Sequence, residues 1–132
     1  MKKKDQLNQL STLQDASYNS RAIPLPQTIA TFYQAAEDYD GERMASCFTE
    51  EATLVDEGVE YHGPAAASAH ILEANRAAQV RTDILGCREK NGETIVTVRI
   101  SGNFAGSPIP LDFHFSLIEE KINTLYIDLA EA

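Results

Sequence analysis

Polar side chains inside apolar, strand-like segments are the part of this sequence that could carry out chemistry. Carboxylates and phenols move protons or donate hydrogen bonds when an apolar pocket surrounds them. On a half-buried strand each of these side chains can equally face water, so residue type alone leaves both interpretations open. The set comprises Asp56, Asp83, Arg99, Asp112, His114, Tyr126 and Asp128.

Several other catalytic schemes are excluded by missing motifs. The chain has no GxSxG elbow, no Walker loop and no GxGxxG segment after a strand. His62, His70 and His114 are scattered without the HxH or HxxxH spacing that favours zinc, and the first two are predicted to lie on the surface. Cys47 and Cys87 lack CxxC spacing, which predicts reduced, unbonded thiols. We therefore predict no metal and no cofactor.

Composition narrows the class of partner. The 132 residues suffice for one domain, and 11 basic against 20 acidic residues give a net charge of −9. This balance argues against nucleic acid or an anionic membrane as the main partner, because both select for Lys and Arg. No run approaches the roughly 18 apolar residues of a membrane span, and no apolar stretch follows the N-terminal lysines. The expected compartment is the cytoplasm.

The periodicity of apolar residues predicts helices in the first half of the chain and strands in the second. Ile29, Phe32, Tyr33 and Ala36 form a helical stripe within residues 27–39, and Pro64 is suited to the first turn of another helix. Asn91-Gly92 is a strong hairpin signal within a four-strand meander over residues 80–129. The order predicts an α+β domain over residues 27–132. Residues 1–26 are polar, end in two prolines, and are predicted to be a flexible or loosely docked extension.

A family resemblance covers about residues 27–130. The segment FYQAAEDYDGERMASCFTEEATLVD, continued by EYHGPAAASAHI, resembles the first half of a nuclear-transport-factor-2-like (SnoaL-like) domain. The segment SGNFAGSPIPLDFHFSLIEEKINTLYIDL is similar to the closing strands of that family. The resemblance implies a cone-shaped, curved antiparallel sheet packed on three helices. It also implies one internal pocket for a small apolar molecule and a homodimer formed through the sheet face.

Ketosteroid isomerases within this superfamily offer the sharpest match to individual residues. Asp56 lies eight residues after Phe48, at the position of the proton-shuttling Asp, and Tyr33 matches the oxyanion-hole Tyr. The second oxyanion donor of these enzymes falls on Phe113, whereas Asp112 is one residue out and, by alternation, on the opposite face.

SnoaL-like cyclases suggest further candidates, because they place an acid–base Asp on the late strands. The secondary candidates are Asp112, His114, Asp128 and Arg99. Arg99 can instead pair with a carboxylate on a neighbouring strand and only set the strand register.

Two functional interpretations remain open. One is a cofactor-independent isomerase or cyclase with Asp56 as the base and Tyr33 as the hydrogen-bond donor. The other is a module that binds a small ligand, or dimerises, without chemistry. The enzyme requires Asp56 and Tyr33 to converge on one apolar cavity, and the binder needs only the cavity. The predicted pocket lining is Phe32, Ile71, Phe104, Phe113 and Tyr126.

We predict that residues 1–24 are dispensable for folding. A chain that begins at Leu25 should melt within a few degrees of the full chain, because removing undocked residues costs little free energy. Thermal unfolding followed by circular dichroism measures the difference. A large drop in Tm would show instead that the stripe formed by Leu7, Leu10 and Leu13 docks on the domain.

Overall fold

Three helices and six strands make up the part of the chain that the computed structural model describes, residues 23–130. Residues 1–22 of the extension predicted over residues 1–26 lie outside this range. In chain order the elements are α1 (Gln27–Asp38), α2 (Gly41–Ala45), β1 (Phe48–Asp56), β2 (Val59–His62), α3 (Pro64–Ala78), β3 (Arg81–Lys90), β4 (Glu93–Ser101), β5 (Ile109–Ile118) and β6 (Lys121–Leu129).

The strands form one open sheet in the order β2-β1-β6-β5-β4-β3. The predicted α+β class is confirmed, and β3 to β6 form the predicted antiparallel meander. The sheet is nevertheless mixed, because β1 pairs with β6 in parallel. After the β1–β2 hairpin, α3 carries the chain to the opposite edge of the sheet, and the meander returns from there until β6 lies beside β1. The register of β3 shifts between Ile84 and Gly86.

The ends of α1 and α2 are fixed by backbone and side-chain caps. Tyr39 adopts a left-handed conformation with φ of 53°, and its N–H is directed to the carbonyls at the end of α1. Asp40 then begins the next helix, because its carboxylate accepts a hydrogen bond from the Arg43 N–H at 3.1 Å. Arg76 on α3 lies over the Tyr39 ring, 4.7 Å from its centroid, and so links the ends of α1 and α3.

The core lies between the helices and one face of the sheet, called the inner face here. Phe32 of α1 is at its centre and meets the rings of Tyr33, Phe48, Phe113 and Phe115 edge-on. Ring pairs in this arrangement add to the free energy gained from apolar burial.

The cysteines, the residues before α1 and the hydropathy of the helices can be compared with the predictions made for them. Cys47 and Cys87 are free thiols, as predicted, and burial raises the pKa of both. Ile23 and Leu25 pack against the core. The chain that begins at Leu25 therefore loses the Ile23 contact, whereas a chain that begins at Ile23 keeps both. Among the described residues, no helix is long and apolar enough to cross a membrane.

Phe32→Ala should destabilise the fold by about 3–5 kcal/mol, because it removes the central ring of the core and leaves a cavity. Ile118→Ala is a suitable control, since Ile118 is 53% exposed. Its cost should be below about 0.5 kcal/mol. Urea unfolding of both variants measures the free energies. Equal losses in the two variants would contradict the central position of Phe32.

Candidate functional site

Asp56 lies on the inner face of the sheet, at the end of β1. Within β1 the buried Ala52 and Leu54 alternate with more exposed residues, and Asp56 continues the inward series. The strand register places Asp56 beside Ile127 of β6, and Ile127 beside Phe113 of β5. A row of inward side chains therefore leads from the carboxylate into the core.

The Asp56 carboxylate is held by His70 of α3. The His70 Nε2–H donates to Asp56 Oδ2 at 2.9 Å, and the two side chains are 22% and 25% exposed. Tyr61 of β2 stacks on the imidazole, with 4.0 Å between ring centroids. A partly buried carboxylate–imidazole pair can hold and exchange a proton.

Sequence reasoning missed His70. The residue was predicted to lie on the surface, whereas its side chain is only 22% exposed and contacts Asp56. The separation of 14 positions between Asp56 and His70 carries no spacing signal, because the pair forms only once α3 packs on β1 and β2. The surface position predicted for His62 is confirmed, since its side chain is 69% exposed.

Tyr33 projects from α1 into the aromatic cluster. Its ring centroid lies 5.6 Å from that of Phe113 and 6.1 Å from that of Phe115. Its hydroxyl is buried and has no hydrogen-bond partner among residues 23–130. Burial raises the pKa of Tyr33 well above its usual value, and the nearby Cys87 thiol adds a smaller effect in the same direction.

An open cleft of about 670 Å³ lies between α1, the end of α3 and the start of β3, and Tyr33 forms part of its wall. We call it the α1–β3 cleft. Its apolar side chains include Ile23, Leu25, Ala30, Val80 and Ile84, and its polar ones include Gln34, Glu37, Asn75, Arg81 and Asp83.

Tyr33 and Asp56, which were predicted to share one pocket, do not both line the α1–β3 cleft. Asp56 does not line the α1–β3 cleft, and neither do Phe32, Ile71, Phe104, Phe113 or Tyr126. Phe113 is 7% exposed, and it is the residue of the row leading to Asp56 whose ring contacts Tyr33. Tyr126 lies on the outer face, because its neighbours Leu125 and Ile127 point inward, and it is 47% exposed.

The inner face of β5 carries Phe113 rather than an acid, as alternation predicted. The register of β4 with β5 runs without a shift from Ile109 to Phe115, so no bulge brings Asp112 to the inner face. On the outer face, Asp112 accepts hydrogen bonds from Thr97 Oγ1 at 2.5 Å and from Arg88 Nη2 at 3.4 Å.

The other secondary candidates also lie on the outer face. His114 Nε2 is 3.1 Å from Asp128 Oδ1, and His114 Nδ1 is 3.4 Å from Glu93 Oε1. Arg99 donates to Asp83 across the β3–β4 ladder at 3.2 Å. This is the ion pair between neighbouring strands that the sequence predicted as the alternative role of Arg99. The structure therefore separates the candidate residues into an inner and an outer group.

Three helices packed on one face of an open, mixed six-stranded sheet define a fold of the cystatin-like type. The chain belongs to the SnoaL-like domain family, whose sequence profile matches residues 29–122. No curated protein matches the chain.

Solved structures share this fold. A candidate polyketide cyclase from Sinorhizobium meliloti superposes with a TM-score of 0.74 at 26% identity, covering 79% of this chain and 95% of that one. A protein with a ketosteroid isomerase-like fold from Catenulispora acidiphila, in complex with trimethylamine, superposes with a TM-score of 0.68 at 16% identity. The match covers 81% of this chain and 88% of that one. A protein of unknown function with a cystatin-like fold from Methylobium petroleophilum superposes with a TM-score of 0.70 at 15% identity. The match covers 80% of this chain and 75% of that one.

Tyr33→Phe should flatten the pH dependence of the free energy of unfolding above about pH 10. The raised pKa of Tyr33 means that the unfolded chain releases the phenolic proton first. The folded state is therefore fully favoured below the unfolded pKa and loses stability as the pH rises beyond it. One such group contributes a slope of up to about 1.4 kcal/mol per pH unit.

Urea unfolding at a series of alkaline pH values measures this slope. Tyr126→Phe is the matched control, because it removes a hydroxyl from an exposed residue on the outer face. It should keep the wild-type slope. Identical slopes for wild type and Tyr33→Phe would contradict the burial of the Tyr33 hydroxyl.

Proposed function

We propose that this protein binds a small, largely apolar molecule in the α1–β3 cleft, and that Tyr33 donates a hydrogen bond to an oxygen of that molecule. Two observations on Tyr33 carry the proposal. Its hydroxyl is buried without a hydrogen-bond partner among residues 23–130, and the residue lines the cleft. An unsatisfied buried hydroxyl costs about 1–3 kcal/mol, and an acceptor on a ligand would recover part of that cost.

The lining of the cleft supports the choice of ligand. A volume of about 670 Å³ falls within the usual range for sites that hold small organic molecules. Ile23, Leu25 and Ile84 offer an apolar surface. Arg81 at the rim is 81% exposed and only 4.0 Å from Asp83, so its guanidinium can also meet an anionic group of a ligand. A ring compound with a carbonyl or carboxylate fits this distribution.

Proton transfer at Asp56 and His70 is a second candidate function. The 2.9 Å pair is three-quarters buried on the inner face, which is the environment that an acid–base catalyst requires. The likeness to a candidate polyketide cyclase supports a cyclase or isomerase as the enzyme class.

Binding without chemistry is the better supported of the two. Ile127 and Phe113 lie between Asp56 and Tyr33 along the strand register, and both are less than a tenth exposed. Tyr33 lines the α1–β3 cleft, and neither Ile127 nor Phe113 does. Binding in the cleft therefore does not depend on a substrate that spans these two side chains to reach Asp56.

A matched pair of ligands tests the binding proposal. 2-Acetylnaphthalene carries a ketone, and 2-ethylnaphthalene has nearly the same shape without the acceptor. The wild-type chain should bind the ketone roughly fivefold more tightly, the equivalent of one net hydrogen bond of about 1 kcal/mol. Fluorescence titration measures both affinities.

Tyr33→Phe should abolish this preference for the ketone and leave the affinity for the hydrocarbon unchanged. Tyr126→Phe, the outer-face control, should keep the preference. Failure of both naphthalenes to bind, or an unchanged preference in Tyr33→Phe, would refute the proposal.

Isomerisation of a bicyclic β,γ-unsaturated ketone tests the second candidate. Turnover should disappear in Asp56→Asn, because the isostere keeps the shape of the carboxylate and loses the base. It should fall in His70→Ala but not in His62→Ala, which removes an exposed imidazole near Glu60. No turnover by the wild-type chain would leave binding as the function.

Self-association through the outer sheet face stays a prediction. Sedimentation velocity at several protein concentrations measures it directly, and a monomer at all of them would contradict it.

A further inference from the structure

A recess of about 200 Å³ lies on the outer face of the sheet, beside the β3–β4 hairpin. It is separate from the α1–β3 cleft and from the Asp56–His70 pair, and the proposed function does not use it. Its lining is almost entirely ionisable or polar: Arg88, Lys90, Asn91, Glu93, Ile95, Asp112, His114 and Asp128.

We propose that this recess binds a divalent transition-metal ion through Asp112, His114 and Asp128. One potential ligand atom from each residue lies within 4.8 Å of the others. Asp112 and Asp128 are direct partners in the β5–β6 ladder, and His114 lies two residues along β5 on the same face. The sheet thus brings together residues that have no metal-binding spacing in the sequence.

The distance between two of the ligand atoms already suits a shared ion. Metal–nitrogen and metal–oxygen bonds to zinc are about 2.0–2.2 Å, so two ligands at a tetrahedral angle lie roughly 3.4 Å apart. His114 Nε2 and Asp128 Oδ1 are 3.1 Å apart. Asp128 is 43% exposed and can turn toward the recess without disturbing the core.

The surroundings orient these ligands as outer-shell groups do in metal sites. His114 Nδ1 is 3.4 Å from Glu93 Oε1, so its N–H can donate to that carboxylate. In that tautomer Nε2 presents its lone pair to the ion. Asp112 is 3% exposed on its side chain and is held in position by Thr97.

The residues around the recess indicate which ion would bind and which side chain would compete with it for Asp112. An imidazole with two carboxylates suits Zn²⁺ or Co²⁺ better than Mg²⁺, which prefers oxygen ligands. Arg88 contacts Asp112 at 3.4 Å and competes with a cation for that carboxylate. Its side chain is 47% exposed and can leave for solvent.

Titration of the untagged full chain with Co²⁺ tests the proposal. Visible absorption reports coordination, and Zn²⁺ should displace the bound Co²⁺. We expect one ion per chain, loss of the absorption in His114→Ala, and at least tenfold weaker binding in Asp128→Asn. Glu93→Gln should weaken binding by about 10- to 100-fold, the usual effect of losing an outer-shell partner. His62→Ala is the control and should bind as the wild type does.

Arg88→Gln distinguishes a metal site from a network of ion pairs. If the recess holds a metal, removing the competing cation should tighten Co²⁺ binding. Weaker binding in this variant, no Co²⁺ absorption in the wild type, or equal absorption in His114→Ala and wild type would each overturn the proposal. If His114→Ala fails to fold, Asp128→Asn still tests the proposal. Asp128 is 43% exposed on β6, so an Asn of the same shape leaves the packing of β5 intact.

Discussion

The uninterrupted pairing of β5 on both sides is the constraint on which the rest of the structure depends. From Leu111 to Phe115, β5 is in register with β4 and β6 at every residue. Since successive side chains point to opposite faces, this register sends Phe113 and Phe115 to the helices and Asp112 and His114 away from them. A shift of one residue would place a carboxylate and an imidazole in the aromatic core. The division of β5 into an apolar inner face and a polar outer face follows from this pairing.

The same constraint explains why the inner polar groups are few and placed at the margins. Asp56 occurs at the last residue of β1, where α3 supplies His70 as a partner for the carboxylate. Tyr33 reaches the interior from a helix rather than from the sheet, and its hydroxyl has no partner among the described residues. Burial of an unpaired polar group lowers stability, so its retention at a cleft wall is what a binding role would explain.

Much of the fold could be predicted from local sequence. The helical stripe of α1, Pro64 at the start of α3 and Asn91-Gly92 between β3 and β4 are signals encoded by neighbouring residues. The alternation of side chains along β5 was enough to place Asp112 and Phe113 on opposite faces of the sheet, as observed. The parallel pairing of β1 with β6 could not be predicted in this way, because it depends on how far α3 carries the chain across the sheet. The pairing of Asp56 with His70 escaped prediction for the same reason, and the lining of the cleft depends on side-chain packing between α1 and β3.

An open sheet leaves two edge strands with unpaired backbone groups, and this chain protects each edge differently. β2 has only four residues, too few to template a second strand of useful length. β3 is longer, but its register shift between Ile84 and Gly86 marks a local bulge. Five of its residues are charged: Arg81, Asp83, Arg88, Glu89 and Lys90. Charge and curvature of this kind oppose edge-to-edge growth into fibrils. The irregularity of β3 thus helps to keep an exposed apolar side chain, Leu85, from becoming a starting point for aggregation.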